Sequence, residues 1–320
     1  MADRRRSTTT FFRSLFFAAA FVVLALGFSG CTQNTDTAEQ PVRPGWVLDE
    51  IESPKIDRQV FFSNAAGTKT SYFVFVPRPY HRLKNKRFPV IYWLHGHGSG
   101  RVGVPPLSNF FAKAMRNKDM PLALVVFPNG LVNSMWVDSK DGSVPMETLL
   151  MTELIPHVDS TYRTVANRNG RIIEGWSMGG YGAPRLAMLY PHVFSAASIL
   201  AGGPLQPDFH VRPARGGVKP SERNKTYEKV FGNDDHYFHQ LSPWVIAQRF
   251  AYSDHEPLAI RQICGTRDHL FEFNVDFHRH LISLRIEHEF TPVPGHKHDT
   301  IPTLSAVGDA FWAFYRNNLP

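Results

Sequence analysis

Short apolar runs alternate along the chain with longer segments in which apolar residues recur every three or four positions. Each run is short enough to be a strand buried on both faces, and each longer segment has the spacing of a helix that buries one face. This β-α-β alternation predicts an α/β fold with a doubly wound, mostly parallel sheet flanked by helices. The predicted strands occupy residues 88–94, 122–128, 170–174, 194–200, 258–265 and 286–291, and the predicted helices occupy 108–116, 146–158, 181–190, 244–250, 271–284 and 304–315.

Two other segments have different patterns. Residues 59–62 and 71–77 are β-rich and are separated by the turn-like residues 64–67, which predicts an antiparallel hairpin at the edge of the sheet. Residues 206–235 are polar and rich in Pro, Gly and Arg. We therefore expect this stretch to leave the core and to form part of a lid.

The first 31 residues have the pattern of an export signal. Arginines at positions 4–6 and 13 precede an apolar run at 15–26, which is short for a membrane-spanning helix. The small residues before Cys31 resemble the lipobox of bacterial lipoproteins, in which the cysteine is lipidated and becomes the first residue of the mature protein. We expect a signal peptide at 1–31 and a lipid-anchored protein of the cell envelope. Simple secretion and an uncleaved anchor are the alternatives.

Residues 32–45 are polar and contain Pro41 and Pro44, which predicts a flexible tether at 32–55 between the membrane and a catalytic domain at 56–320. One α/β domain can hold a chain of this length without splitting. We expect the protein to contact the membrane through the lipid anchor at Cys31.

Composition excludes other classes of protein. The chain is 43% hydrophobic and 20% charged, which is typical of a globular protein. Its net charge is +7, and no Lys/Arg block with interleaved aromatic residues follows Cys31, which argues against nucleic-acid binding. The two cysteines, Cys31 and Cys264, provide no disulfide framework. The histidines are mostly scattered, so we expect neither a metal nor a cofactor.

The main chemical signal is Gly175-Trp176-Ser177-Met178-Gly179-Gly180, which fits the G-x-S-x-G nucleophile elbow of serine hydrolases. A predicted strand precedes this stretch and a predicted helix follows it, as the motif requires. The glycines let the strand and the helix approach each other at a strained turn, so that the serine hydroxyl stands clear of the sheet. The motif predicts that Ser177 is the nucleophile of an acyl-enzyme mechanism.

A glycine-rich loop, His95-Gly96-His97-Gly98-Ser99-Gly100, follows the buried strand that ends at Leu94. Ligands of open α/β sheets gather at this end of the strands. Such a loop can bring backbone N–H groups close to a reacting carbonyl oxygen. We therefore assign the N–H groups of His97 and Met178 as the oxyanion hole.

A serine nucleophile needs a histidine that accepts its proton and a carboxylate that holds the histidine in the correct tautomer. Asp268 follows one predicted strand, and His296 and His298 follow the next, in the chain order Ser, acid, His. Either histidine could reach the serine. Glu272 and Asp276 are weaker candidates for the acid because they lie within the following helix rather than at its start.

The loop at 129–143 is expected to overhang the site. Its Trp136 and Asp138, together with residues 206–235, would line the pocket for the acyl group or the leaving group. Sugar-linked aromatic esters, acetylated glycans and lipid acyl esters all remain open as substrates.

Four blocks in order resemble the esterase family of α/β hydrolases that includes feruloyl esterases, S-formylglutathione hydrolase and the mycobacterial mycolyltransferases. The resemblance spans roughly Phe73 to Tyr315 and implies an α/β-hydrolase fold. The blocks are Trp93–Gly96, Asn133–Ser139, Glu153–Thr164 and Gly175–Ala183.

The resemblance implies that Ser177 is the nucleophile, Asp268 the acid, and the base the histidine of a Gly-x-His-Asp-Trp-like segment. His298 and Asp299 provide that His-Asp pair, which favours His298 over His296. The chain departs from the family pattern in three places. It has an extra residue between Gly295 and His298, Thr300 where Trp is common, and Trp176 where Leu is usual before the serine.

These observations predict an exported serine carboxylic-ester hydrolase. An acyltransferase is the closest alternative, because it would use the same acyl-enzyme and pass the acyl group to a sugar or other hydroxyl acceptor. A non-catalytic envelope binding protein with the same fold is a second alternative. A metal-dependent hydrolase that uses His296, His298 and Asp299 is a more distant one.

Overall fold

The structure is a computed structural model that describes residues 42–53, 55–214 and 216–320. The predicted export signal, the lipidation site Cys31 and residues 32–41 and 54 of the predicted tether lie outside the described residues. No helix within the described ranges is long and apolar enough to cross a membrane.

The strands of the described chain form one sheet in the order β1-β2-β4-β3-β5-β6-β7-β8. The first two form the expected antiparallel hairpin, with β1 at the sheet edge, and β2 also pairs antiparallel with β4. All other neighbouring strands are parallel. The prediction of a mostly parallel, doubly wound sheet is confirmed. The strands are β1 Ile56–Ser63, β2 Thr68–Phe75, β3 Val90–Leu94, β4 Leu124–Pro128, β5 Arg171–Trp176, β6 Ala196–Leu200, β7 Ala259–Gly265 and β8 Glu289–Val293.

Helices cover both faces of this sheet. Every residue of β3 and β4 is buried, because alternate side chains contact helices on opposite faces. On one face, Tyr92 and Val126 share a core with α4, whereas Ile91 and Val125 share the opposite core with α1, α9 and α10. The helices are α1 Val104–Asn117, α2 Met146–Thr148, α3 Ile155–Thr161, α4 Met178–Leu189, α5 Pro220–Phe231, α6 Asp235–Leu241, α7 Pro243–Ala251, α8 Phe271–Ser283, α9 Thr300–Val307 and α10 Asp309–Asn318.

Three helical predictions need correction. The helix expected at 146–158 continues to Thr161 and contains a π-helical segment, Leu149–Leu154, between α2 and α3. The closing helix expected at 304–315 is two helices, because Gly308 interrupts it with a φ of +69°. The stretch at 206–235 contains α5, whose buried Tyr227, Val230 and Phe231 belong to the core together with Phe209, so the stretch as a whole does not leave the core.

A buried polar network ties α10 to the centre of the sheet. Glu174 in β5 has no exposed surface and accepts hydrogen bonds from the hydroxyl of Tyr315 at 2.7 and 2.9 Å. Arg261 in β7 lies 3.4 Å from the same carboxylate and donates to the carbonyl of Phe311 at 2.6 Å. Burial raises the pKa of Glu174, and the charge of Arg261 opposes that rise. The network supports the strand that leads directly to Ser177.

Candidate active site

Ser177 lies in a sharp turn between β5 and α4. Its backbone has a φ of +57° and a ψ of −114°, a conformation that a residue with a side chain rarely adopts. The turn depends on glycine at two close approaches, since a Cβ on Gly175 would lie 2.3 Å from the carbonyl carbon of Gly179 and one on Gly179 would lie 1.9 Å from the carbonyl oxygen of Leu94. Hydrogen bonds fix the turn from the neighbouring strand, with Ser177 N donating to Leu200 O at 2.9 Å.

Asp268 and His298 form a hydrogen-bonded pair at the carboxyl ends of β7 and β8. The side chain of Asp268 is fully buried, and its Oδ2 accepts a hydrogen bond of 2.7 Å from Nδ1 of His298. Its Oδ1 accepts a second bond of 2.8 Å from the N–H of Leu270, so the carboxylate cannot rotate freely. The imidazole of His298 packs against the indole of Trp176, with ring centroids 5.1 Å apart. The proton on Nδ1 leaves Nε2 as the nitrogen that is able to accept another proton.

Ser177 and His298 line the same cavity. Among the hydrogen bonds of the described residues, none joins the serine hydroxyl to the imidazole, a geometry that is common in serine enzymes without substrate. The structure therefore brings the predicted serine, acid and histidine to one edge of the sheet.

His296 occupies a different position from His298. Its Nδ1 lies 4.0 Å from Oδ1 of Asp299, and the residue lines neither of the two cavities beside Ser177. Its backbone carbonyl accepts the N–H of Arg267 at 2.9 Å, which holds this part of the loop against β7. The alternative acids Glu272 and Asp276 are exposed on α8.

The glycine-rich loop after β3 lies against the elbow. A Cβ on Gly96 would lie 3.1 Å from Cβ of Ser177, and His97 lines both cavities that contain the serine. The N–H of Gly98 donates to Val132 O at 2.8 Å, which fixes the far end of the loop. The N–H of Met178 is the first of α4 and has no acceptor within that helix. Its position at the helix N-terminus favours negative charge.

Two cavities meet at Ser177. The larger one, about 580 Å³, also contains His298, Trp176 and Thr300. The smaller one, about 250 Å³, contains Met178 but not His298. Residues 216–220 lie between the two cavities, so the first part of the 206–235 stretch does border the site.

Trp136 and Asp138, which the sequence predicts to line the substrate pocket, line neither of these two cavities. Trp136 is completely buried, and its side chain fills the space next to Gly130 and Gly182, where added Cβ atoms would lie 2.4 Å from its indole and 2.6 Å from its Cβ, respectively. Both carboxylate oxygens of Asp138 accept hydrogen bonds from Thr148, at 3.0 Å from its N–H and 2.6 Å from its hydroxyl. These contacts hold both side chains away from the two cavities, whereas Met135 of the same loop lines the smaller one.

Comparison with known proteins now identifies the family. Residues 63–272 match the family model described as "Putative esterase". The chain belongs to this esterase family. A curated endo-1,4-beta-xylanase/feruloyl esterase of Xylanibacter ruminicola is 29% identical over 175 residues, which cover 50% of this chain and 23% of that protein. An esterase of Mycobacterium tuberculosis is 30% identical over 163 residues, which cover 49% of this chain and 34% of that protein. The chain thus spans only about a quarter to a third of the length of these curated relatives.

Solved structures of esterases share the fold. A ferulic acid esterase superimposes with a TM-score of 0.67 at 20% identity and covers 83% of this chain and 98% of its own. An S-formylglutathione hydrolase from Agrobacterium tumefaciens gives a TM-score of 0.64 at 18% identity, with 83% and 95% covered. These likenesses confirm the predicted α/β-hydrolase fold.

His95 holds the glycine-rich loop in place, a role that the sequence did not indicate. Its Nδ1 donates to Gly96 O at 2.7 Å, and its Nε2 accepts the N–H of Gly130 at 3.0 Å. The backbone carbonyl of His95 accepts the indole N–H of Trp136 at 3.2 Å. Burial lowers the pKa of His95 to about 4, so the ring is neutral at neutral pH, as both bonds require. His95 therefore connects the glycine-rich loop to the loop that begins at Asn129. Only its place in the Trp-Leu-His-Gly block could have drawn attention to it.

His269 is a second residue that sequence reasoning missed. Its Nδ1 lies 3.4 Å from Oδ1 of Asp268, and its ring centroid lies 4.6 Å from that of His298. Burial, with a smaller effect from His298, lowers its pKa. Within the described ranges, Asp268, His269 and His298 are the group whose ligand atoms, all within 4.8 Å of one another, could hold a metal ion. This differs from the set of His296, His298 and Asp299 that the sequence left open.

Proposed function

We propose that this chain is an exported serine carboxylic-ester hydrolase that acts through an acyl-enzyme on Ser177. The observation that carries the proposal is the 2.7 Å hydrogen bond between His298 and the buried Asp268, in the cavity that contains Ser177. It gives the imidazole the tautomer in which Nε2 can take a proton from a serine hydroxyl. Membership of the esterase family supports the same class of reaction.

The first half of the reaction forms the acyl-enzyme. Oγ of Ser177 attacks the ester carbonyl while Nε2 of His298 takes its proton, and the carbonyl π electrons move to the oxygen. The N–H groups of His97 and Met178 bind this oxyanion, which forms at the positive end of α4. When the tetrahedral intermediate collapses, the bond to the alcohol oxygen breaks and His298 donates its proton to that leaving group.

The second half returns the free enzyme. A water molecule attacks the acyl carbonyl, and His298 now takes the proton from the water. Collapse of the second intermediate breaks the bond to Oγ, which regains its proton from His298 and releases the carboxylic acid. Asp268 remains ionised and stabilises the imidazolium in both halves. The residues of the chain perform each step without a cofactor.

Acyl transfer is the second candidate function. The cavity that contains His298 has a volume of about 580 Å³, which leaves space for an acceptor alcohol where the leaving group has departed. A sugar hydroxyl in that space would replace water in the second half of the reaction. Product analysis with and without candidate acceptors separates the two functions, because both partition from the same acyl-enzyme.

Small-molecule and glycan or lipid acyl esters are the proposed substrates. The name of one relative, an endo-1,4-beta-xylanase/feruloyl esterase, supports a feruloyl ester as one such substrate. The pattern before Cys31 supports export and lipidation at that residue. Mass spectrometry of membrane fractions tests this part, since Cys31→Ser should release a lipid-free protein.

The serine is tested directly by Ser177→Ala. We expect loss of hydrolysis of short p-nitrophenyl esters and loss of labelling by a fluorophosphonate probe, with an unchanged circular dichroism spectrum. Ser305→Ala, at an exposed position on α9, is the matched control and should behave like the wild type. Retained hydrolysis in Ser177→Ala would refute the mechanism. Failure of the wild type to react with any ester or probe would favour a non-catalytic binding protein.

A further inference from the structure

The two cavities at Ser177 have different roles if the proposed function holds. His298 must donate a proton to the departing alcohol, so the alcohol part of the ester has to lie in the cavity that contains this imidazole. That is the larger cavity. The smaller cavity is lined by Met178 but not by His298, and it therefore receives the acyl part.

The smaller cavity, called the acyl cavity below, has both apolar and cationic residues in its walls. Met135, Leu270 and Phe273 provide apolar walls. The 206–235 stretch contributes Arg212 and Arg223 to the walls. None of the described residues that line this cavity has an acidic side chain. A neutral acyl chain would leave both of these charges without an opposite charge inside the cavity.

Arg223 is held rigidly at this cavity. Its Nε donates to Phe209 O at 3.0 Å, its Nη2 donates to Val211 O at 3.1 Å, and its guanidinium lies 4.3 Å from the centre of the Phe209 ring. Gln206 donates to the same Val211 carbonyl at 2.8 Å. The Nη1 group of Arg223 has no acceptor among the described residues. The bonds to Phe209 and Val211 hold the guanidinium in place and leave the two N–H donors of Nη1 available to a ligand.

Arg212, an exposed residue, adds a second positive charge to the lining of the same cavity. Burial lowers the pKa of Arg223 to about 10, and the positive charge of Arg212 lowers it further, while Asp208 opposes the shift. Arg212 itself forms no hydrogen bond or ion pair with any residue that the structure describes. An anion bound in this cavity would oppose the repulsion between these two positive charges.

We propose that the acyl group carries a carboxylate at the end remote from the ester, and that Arg212 and Arg223 bind this carboxylate. The substrates would then be half-esters of dicarboxylic acids with an apolar middle section. The inference rests on the proposed function, because it assigns the acyl part of the same reaction.

The test compares two matched series of p-nitrophenyl esters. One series contains half-esters of straight-chain dicarboxylic acids, from glutaric to suberic acid, and the other contains the monocarboxylic esters of equal chain length. At moderate ionic strength, after subtraction of spontaneous hydrolysis, we expect kcat/KM to be about tenfold higher for the half-ester of the best-fitting length.

Arg212→Gln is the main variant because the wild-type side chain has no partner whose loss could disturb the fold. It should lower kcat/KM for the half-ester about tenfold and leave the monocarboxylic ester within about twofold. Arg223→Gln should act in the same direction, with the monocarboxylic ester reporting any loss of structure. Lys219→Gln is the matched control, since Lys219 lies in the same segment but lines the other cavity, and it should keep the preference.

The outcomes separate this inference from the proposed function. Hydrolysis of both series at equal efficiency overturns the carboxylate site and leaves the esterase mechanism standing. A preference that survives both Arg212→Gln and Arg223→Gln overturns the assignment to these arginines. If neither series is hydrolysed and the fluorophosphonate probe does not label Ser177, the proposed function fails, and the inference fails with it.

Discussion

Nδ1 of His298 lies 2.7 Å from the buried carboxylate of Asp268, whereas His296, two positions earlier, has its Nδ1 beside Asp299. The difference arises in the backbone of the loop after β8. The carbonyl of His296 accepts the N–H of Arg267, and Gly265 allows this approach because a Cβ there would lie 2.3 Å from that carbonyl oxygen. With His296 fixed by its backbone, the chain turns so that His298 reaches Asp268.

We therefore expect the two histidines to differ in effect. His298→Ala should reduce kcat for p-nitrophenyl butyrate by about a thousandfold or more, because the serine loses its general base. His296→Ala should remain within about threefold of the wild type, since that ring touches neither cavity. Steady-state kinetics on both variants, with thermal unfolding as the check on structure, decides the assignment. Full activity in His298→Ala would exclude it as the base.

The predictable part of the site follows from short-range rules. The elbow could be predicted because the turn at Ser177 needs glycine on both sides, and that need appears within five consecutive residues. The positions of Asp268 and His298 could be predicted because parallel strands end at the same edge of the sheet. The choice between His296 and His298 required the family resemblance, since the backbone contact of His296 involves Gly265, far away in the sequence.

Long-range packing explains what could not be predicted. An aromatic residue in a loop near the site suggests a substrate contact, but Trp136 is buried because Gly182, 46 positions away, leaves room for its indole. Helix α5 was missed because its exposed face is polar and only Tyr227, Val230 and Phe231 join the core. Gly308 ends α9 within a pattern that otherwise continues, so the break depends on one backbone conformation.

Trp136→Phe tests the structural role of this indole. It should lower the free energy of unfolding by about 2 kcal/mol, because it leaves a space next to Gly130 and removes the hydrogen bond to His95. KM for p-nitrophenyl butyrate should stay within about twofold. Phe273→Ala, which alters the wall of the acyl cavity, should instead raise KM with little effect on unfolding. A raised KM with unchanged stability in Trp136→Phe would return this residue to the substrate pocket.

His95 should make stability depend on pH. Burial lowers its pKa to about 4, whereas the unfolded chain has the usual value of about 6.5. Between these values the unfolded state binds the extra proton, so the folded state loses stability as the pH falls from about 6.5 toward 4. The full pKa shift corresponds to a decrease of roughly 3 kcal/mol in the free energy of unfolding.

The measurement is urea unfolding at pH 7 and at pH 4.5. His95→Gln, whose amide oxygen can accept the N–H of Gly130, should lose less stability between these two pH values than the wild type. His239→Gln, at an exposed position on α6, is the control and should follow the wild-type curve. Equal losses in the wild type and His95→Gln would contradict the assignment.

Tyr315 stabilises the buried charge behind the elbow. Its hydroxyl donates to Glu174 at 2.7 and 2.9 Å, and the carboxylate has no contact with water. Tyr315→Phe should lower the free energy of unfolding at pH 7 by about 2 kcal/mol, because a hydrogen bond to a charged, buried group is lost. Tyr252→Phe, at a side chain that is 86% exposed, should change it by less than about 0.5 kcal/mol.

The effect of Tyr315→Phe should also depend on pH. Burial raises the pKa of Glu174, and the hydrogen bond from Tyr315 opposes that rise, so the variant should raise this pKa further. A carboxyl group whose pKa is higher in the folded state binds more protons there, so its ionisation costs stability as the pH rises. The difference between Tyr315→Phe and the wild type should therefore shrink at acid pH, where Glu174 is protonated. A constant difference across the pH range would mean that the hydroxyl contributes through packing and not through the charge of Glu174.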